Sequence, residues 1–323
     1  MIRKTKRCTL KNPAFIAAWP GMGEVAIRTG LFLKDILPFE PFAQITNSGF
    51  FMPQGIISKD GIVDFPALDE GTFYLYKDPA RHRDIVLFLA EAQPAMDRAY
   101  AFAQMIMEFL VSIKIKTVFT FASLPQPIDY TKDSRVWFVA TDDSIKEEFQ
   151  QYSINPLPDG QISGLNGLLT GVSGEYGIPS ICFLAEIPFY TVQIENPKAT
   201  KALVTVLGRF LNMEFDLNIL DQKARGLEEE IERLINYVRG EVEADEYEDE
   251  PLDEEDVQMI KTELERYGRI PGSVQRRIDT LFEKAYQEIS YAQELKMLLD
   301  KWGVYKEYED RFLDLFKKRG LDH

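Results

Sequence analysis

Histidine is almost absent from this sequence. His82 sits between Arg81 and Arg83 in a charged stretch, and His323 is the last residue. A His-based triad or a His-rich metal site is therefore not the organising chemistry. Cysteine is as scarce: Cys8 and Cys182 are far apart, and Cys182 lies in an apolar run. Neither a disulfide framework nor an activated thiol is expected. No run of about 18 apolar residues occurs, so no membrane span is expected. The basic start, Met1 to Arg7, is followed by no apolar stretch of the kind a secretory leader needs. A reducing, cytoplasmic setting is expected. Two nucleotide and hydrolase signatures are also missing: there is no G-x-x-x-x-G-K-S/T, and Gly171-Val172-Ser173-Gly174 has the wrong spacing for G-x-S-x-G. No cofactor and no metal are expected.

Positive charge is in deficit as well. The formal net charge is −15, which excludes a basic nucleic-acid or anionic-membrane surface as the main partner. The deficit is local. Residues 241–256 hold eleven acids and no base, so subtracting eleven from fifteen leaves about −4 for the rest. This segment reads as a solvated or disordered loop, or as a recognition tail for a basic partner.

What is present is organised around residues 161–186. Ser163, Gly164, Asn166 and Gly167 form a Gly-rich turn that opens a short apolar helix. The helix is expected to break at Gly174 and Gly177, and Pro179 restarts the chain as the strand Ile181–Leu184, ending at Glu186. A turn that opens a helix presents free N–H groups, so it can hold an anion; it can equally be a tight connection packed on a sheet.

Before it, strands and helices alternate. Ala14–Trp19 reads as a buried strand, Pro20 to Glu24 as a glycine turn, and Val25 to Leu37 as a helix. Gly21, Gly23 and Ala26 fit G-x-G-x-x-A. The next strand, however, ends in Asn47-Ser48-Gly49 rather than in the acid that a dinucleotide ribose requires. Lys59-Asp60-Gly61 marks a hairpin. Strands follow at Phe73–Tyr76, Ile85–Ala90, Thr117–Ala122 and Arg135–Ala140, with helices at 94–114, 144–150 and 197–211. Ser144 and Glu147 have capping-box spacing. The strands are continuous apolar runs, which implies burial on both faces. The expected fold is α/β, a three-layer α/β/α sandwich over residues 1–214.

From 215 to 323 no strand pattern appears. Leu220, Ala224, Leu227, Ile231, Leu234 and Val238 form a heptad-like stripe. Helices are then expected at 257–267, at 274–302 as one long element, and at 308–318. This all-α appendage packs either within the chain or on a partner.

Phe88-Leu89-Ala90-Glu91 and Phe183-Leu184-Ala185-Glu186 repeat one tetrapeptide, each closing a strand before a proline-containing loop. In an open α/β sheet the crevice lies beyond the carboxyl ends of the strands. A candidate ligand crevice is therefore lined by Gly21, Met22, Gly23, Asn47, Glu91, Gln93, Gly164, Asn166, Gly167 and Glu186. The competing reading makes both glutamates helix or loop caps.

Five stretches carry a resemblance: A-W-P-G-M-G-E-V-A, F-L-A-E-A-Q-P, I-S-G-L-N-G-L-L, C-F-L-A-E-I-P and the helix beginning N-P-K-A-T-K-A-L. In order and spacing the chain resembles the proteasome assembly chaperone family across roughly residues 12–238. The helical C-terminus looks like the extension of bacterial members. The resemblance implies a nucleoside-phosphorylase-like core and a homo-oligomer, by likeness a trimer. It also implies a non-enzymatic, chaperone-like or scaffold role toward a proteasome-like or other protein client. Members that bind the proteasome carry a hydrophobic-Tyr-any tail. This sequence ends Arg319-Gly320-Leu321-Asp322-His323, so docking through such a tail is not expected. Some members carry an ATP-grasp carboxylate–amine ligase label. The second reading is accordingly a small-molecule or nucleotide-binding enzyme, ligase or phosphorylase-like, using the crevice.

Overall fold

A computed structural model describes residues 2–5, 8–46, 49–51, 57–64, 70–80, 82–150, 154–238, 272–287, 289, 291–301 and 305–317. Asn47, the acidic stretch 241–256, the helix expected at 257–267 and the last residues fall outside them. The chain divides into two compact units, one of residues 1–126, 133–187 and 191–227, the other of 127–132, 188–190 and 228–323.

The first unit is built on a nine-stranded sheet. Its strands are β1 (Ile2–Lys4), β2 (Ala14–Ala18), β3 (Glu40–Ile45), β6 (Thr72–Tyr76), β7 (Ile85–Leu89), β8 (Thr117–Gln126), β9 (Val136–Ala140), β10 (Asn155–Pro156) and β11 (Ser180–Pro188). They lie in the order β1-β3-β6-β7-β2-β8-β11-β9-β10, while β4 (Ile57–Lys59) and β5 (Ile62–Asp64) form the separate hairpin expected at Asp60-Gly61. β2 pairs parallel with β7 and β8, whereas β6, β3 and β1 continue one side antiparallel. On the other side β9 runs antiparallel to β11.

Strand β2 shows why both faces must be covered. Phe15, Ala17 and Trp19 join one apolar cluster with α2 (Ala99–Ser112) and α4 (Gly164–Glu175), through Phe102, Ile106, Leu165 and Leu169. Ala14, Ile16 and Ala18 join the opposite cluster with α1 (Val25–Ile36), α3 (Asp143–Gln150) and α5 (Pro197–Leu211), through Val25, Phe149 and Leu203. Alternation along a strand sends successive side chains to opposite faces, and here each face meets helices. The result is helix–sheet–helix in three layers.

Local chemistry sets the helix ends. α5 starts on Asn196, whose Oδ1 accepts the Ala199 N–H at 3.2 Å, with Pro197 in the first turn. α4 runs through Gly174 instead of breaking there. It ends in a Schellman motif: Gly177 sits at φ 64°, its N–H bonds the Gly174 carbonyl, and the Ile178 N–H bonds Ser173. The capping box at Ser144 does not form. Asp142 lies one residue before the helix and its Oδ1 takes both the Ile145 N–H and the Ser144 hydroxyl. β8 continues past the expected Ala122 through Pro125. The β2 register with β8 ends at Thr120, and a proline beyond it costs that pairing no hydrogen bond.

Helix α6 (Asn218–Val238) carries the heptad-like stripe, and at its start Leu220 packs on Val204 and Phe32. The helices of the second unit are α7 (Gly272–Gln287), α8 (Tyr291–Lys301) and α9 (Tyr305–Lys317). The single helix expected over 274–302 is thus two. Ile278, Leu281, Phe282 and Ala285 bury against Ala292, Leu295 and Leu299, which a straight helix would leave in line and uncovered. Phe312 and Leu315 of α9 join this core. The Arg311 guanidinium of α9 lies 4.1 Å from the Phe282 ring centroid and bonds Asp279 at 2.7 Å.

Candidate functional site

The register of β2 and β7 puts Ala18 beside Leu89, so the segments beginning Trp19 and Ala90 leave the sheet next to each other. Gln93 ties both to a third. Its Nε2 donates to the Pro20 carbonyl at 2.7 Å, and its Oε1 accepts the Leu165 N–H at 3.3 Å, in the first turn of α4. From β8, the Ser123 hydroxyl donates to the Met22 carbonyl. The glycine turns after β2 and before α4 are thus fastened by side chains from β8 and from the segment after β7.

Between them lies a cleft of about 520 Å3. Its floor includes β11 and β9. Leu184 pairs with Trp137, and the Glu186 N–H bonds the Arg135 carbonyl at 2.9 Å. Alternation therefore places Arg135, Trp137, Leu184 and Glu186 on one face, and all four line the cleft. Glu186 is 2% exposed, and both its oxygens are committed: Oε2 accepts from Arg135 Nε and Oε1 from Trp137 Nε1, each at 2.9 Å. The guanidinium also lies 5.9 Å from the Trp137 ring centroid. A carboxyl group buried this way depends on those two donors for its hydrogen bonds.

Of the residues singled out in the sequence, Gly21, Met22, Gln93, Gly164, Asn166 and Glu186 line this cleft. Gly23 does not. It is buried at φ 63°, donates to the Val192 carbonyl at 2.6 Å and accepts from the Asn196 N–H at 2.9 Å, so it joins the turn to the start of α5. Gly167 packs on Ile162, whose Cγ2 would stand 2.4 Å from an added Cβ; this glycine exists for close approach of the preceding loop. Glu91 is exposed and outside the cleft lining. Glu186 neither ends its strand nor caps a helix: it lies inside β11, tied to β9. Sequence reasoning missed Arg135, Trp137 and the wall formed by residues 157–160. The R-x-W alternation was visible, but only the pairing of β9 with β11 sets it against Glu186.

Other reactive types stand apart from the cleft. Burial pushes the Cys182 thiol up to about 12, which leaves it inert near neutral pH. Among the described residues no group of three or more His, Cys, Asp or Glu side chains is placed to hold a metal, and no helix is long and apolar enough to cross a membrane. The cleft lining combines the α4 N-terminus, the Arg135 guanidinium, carboxamides such as Gln93 and Asn166, the Ser123 hydroxyl, the carboxylates of Asp159 and Glu186, and apolar walls.

The sequence model of the PAC2 family matches residues 15–235. An uncharacterised protein of Methanocaldococcus jannaschii is 24% identical over 253 residues, which cover 78% of this chain and 93% of that protein. PbaB of Pyrococcus furiosus, an archaeal proteasome activator, is similar with a TM-score of 0.62 at 24% identity, over 72% of this chain and 98% of its own. A proteasome-assembly chaperone homologue of Mycobacterium tuberculosis is similar with a TM-score of 0.57 at 23% identity, over 68% of this chain and 94% of its own.

Proposed function

The chain belongs to the PAC2 family, and from that premise we propose that it is a non-enzymatic, chaperone-like protein that works by holding a protein partner. The family match carries this reading, because it spans the sheet apart from the edge strand β1 and takes in the helices on both of its faces. Two structural relatives support it by what they are: one is an archaeal proteasome activator, the other a proteasome-assembly chaperone homologue. The chemistry of the cleft agrees, since its buried carboxylate has both oxygens occupied. In this reading residues 1–214 form the partner-holding body and 215–323 a helical extension. The working form is a homo-oligomer, by family likeness a trimer, whose client is the proteasome core or another assembling complex.

The test is native mass spectrometry of the gently purified protein from its own cell extract. A homo-oligomer carrying a stoichiometric protein client, re-formed from the purified components, is the expected result. A monomer that carries a small molecule and no protein would overturn the reading.

A further inference from the structure

A groove of about 960 Å3 runs along the outer side of α4 and meets the cleft at Gln93 and residues 162–164. Pro94, Met96, Ala99 and Tyr100, where α2 begins, form one wall, and α4 forms the other. On α4, Gly164, Leu168, Gly171 and Glu175 step by four, three and four, so they share one face. That face is open. Gly171 and Glu175 are exposed, and a Cβ added at Gly171 meets nothing within 4 Å. On the opposite wall Met96 is 95% exposed and Tyr100 44%. Apolar side chains left in water around one hollow mark a surface that another molecule covers, and a flexible Met suits an adaptable contact.

Backbone, length and charge name the occupant. From Leu168 onward the α4 N–H groups are spent within the helix, so the groove offers an arriving chain no ladder to join. A segment that lies there must satisfy its own N–H and C=O groups, as a helix does. The face from Gly164 to Glu175 is roughly 16 Å long, about three turns. Glu175 is the one charged residue of the lining among the described residues, and its Oε2 accepts the Tyr100 hydroxyl at 2.6 Å, which holds the carboxylate in place. We propose that this groove takes an amphipathic helix of the protein partner, with apolar residues at i, i+3 or i+4 and i+7 and a Lys or Arg that reaches Glu175. The apolar stripe lies on Leu168, Gly171 and Met96. The proposal rests on the partner-holding reading and names the surface that does the holding. A second copy of this chain is the poorer occupant, because each copy carries −15 and the groove presents an acid.

The experiment is fluorescence anisotropy on the full chain at about 0.15 M salt. The probes are two labelled helical peptides of about fourteen residues with the same leucine stripe, one filled out with lysine and the other with glutamate. The lysine peptide is expected to bind, and the glutamate peptide about tenfold more weakly or worse. Gly171→Gln covers the floor of the groove with a polar side chain, and Met96→Ser strips apolar surface from its wall. Each is expected to weaken the lysine peptide about tenfold. Both positions are exposed, so a Tm no lower than that of the native chain shows that the variants fold. Both changes are also neutral, so attraction to the acidic stretch 241–256 would pass through them unaltered. Glu175→Gln is expected to bring the affinities of the two peptides together. No binding of the lysine peptide, or an affinity that both neutral variants leave within about twofold, would overturn the proposal. So would an oligomer that dissociates in Met96→Ser by sedimentation velocity, which would give the groove to a second copy. A client that stays on Gly171→Gln in the native mass spectrum would also overturn it, while leaving the partner-holding reading intact and moving the holding surface elsewhere.

Discussion

Arg135 holds the charge of Glu186 from the surface side, and its removal is the sharpest test of how the cleft floor is built. In Arg135→Ala, Glu186 keeps the Trp137 indole N–H as its one described donor while staying 2% exposed. The guanidinium is mostly in water, so its contribution is discounted from that of a fully buried pair. The expected loss is about 1–3 kcal/mol in urea unfolding. Arg135→Lys is expected to recover less than half, because an ammonium has no Nε–H to meet the same carboxylate oxygen. A loss near zero would mean that Glu186 is served by solvent. The buried thiol gives a second residue-scale test. Cys182 titrates near 12 in the folded chain against 9.0 for an unperturbed thiol. A raised folded pKa means that the unfolded state binds fewer protons above pH 9, so stability is complete below that pH and declines toward pH 12. Thiol labelling at pH 8 should accordingly find only the exposed Cys8 in the native chain, and both cysteines in denaturant. Rapid labelling of Cys182 in the native state would contradict its burial.

At the scale of elements, α4 separates what a glycine does from where it sits. Gly171 is in the exposed middle of the helix, and an added Cβ there meets nothing within 4 Å. Gly171→Ala is expected to stabilise by about 0.5–1 kcal/mol, the helix preference of alanine over glycine. Gly177 has equally open space but stands at φ 64° in the Schellman turn, so Gly177→Ala is expected to destabilise by about 1 kcal/mol through backbone strain alone. Opposite signs in chemical denaturation check the pair; equal signs would refute the helix end. Much at this scale was legible from local signals. Asn196 and Pro197 announce α5, and Asp60-Gly61 announces the hairpin. Local signals also misled. Ser144 and Glu147 have capping spacing, but Asp142 precedes them and takes the Ser144 hydroxyl and the Ile145 N–H, starting the helix earlier. The apolar period that continues from Val274 to Trp302 does not record that α7 and α8 fold back on each other, because burial against a neighbour and burial against a partner leave the same stripe. The cleft divides in the same way. Gly21, Gly164 and Asn166 show in the sequence because turns require those residue types. Arg135 and Trp137 do not, because their meeting with Glu186 depends on pairing across about fifty residues.

Over the whole molecule, charge decides how association must respond to salt. The chain carries −15, and most of that excess falls within residues 241–256. Copies of such a chain repel one another, and added salt screens the repulsion, with a Debye length falling from roughly 30 Å at 0.01 M to about 8 Å at 0.15 M. Homo-oligomerisation driven by apolar burial should therefore strengthen as salt rises over this range. A complex with a basic partner drawn to the acidic stretch should weaken over the same range. Sedimentation velocity at low and physiological salt reads both, first on the chain alone and then with any client that the mass spectrum identifies. The expected result is a self-association that tightens with salt. Weakening instead would mean that ion pairs between copies hold the oligomer together. The interface would then have to be sought among charged groups such as Arg28, Glu24 and Glu195, which pair with one another within a single chain, and not among apolar surfaces.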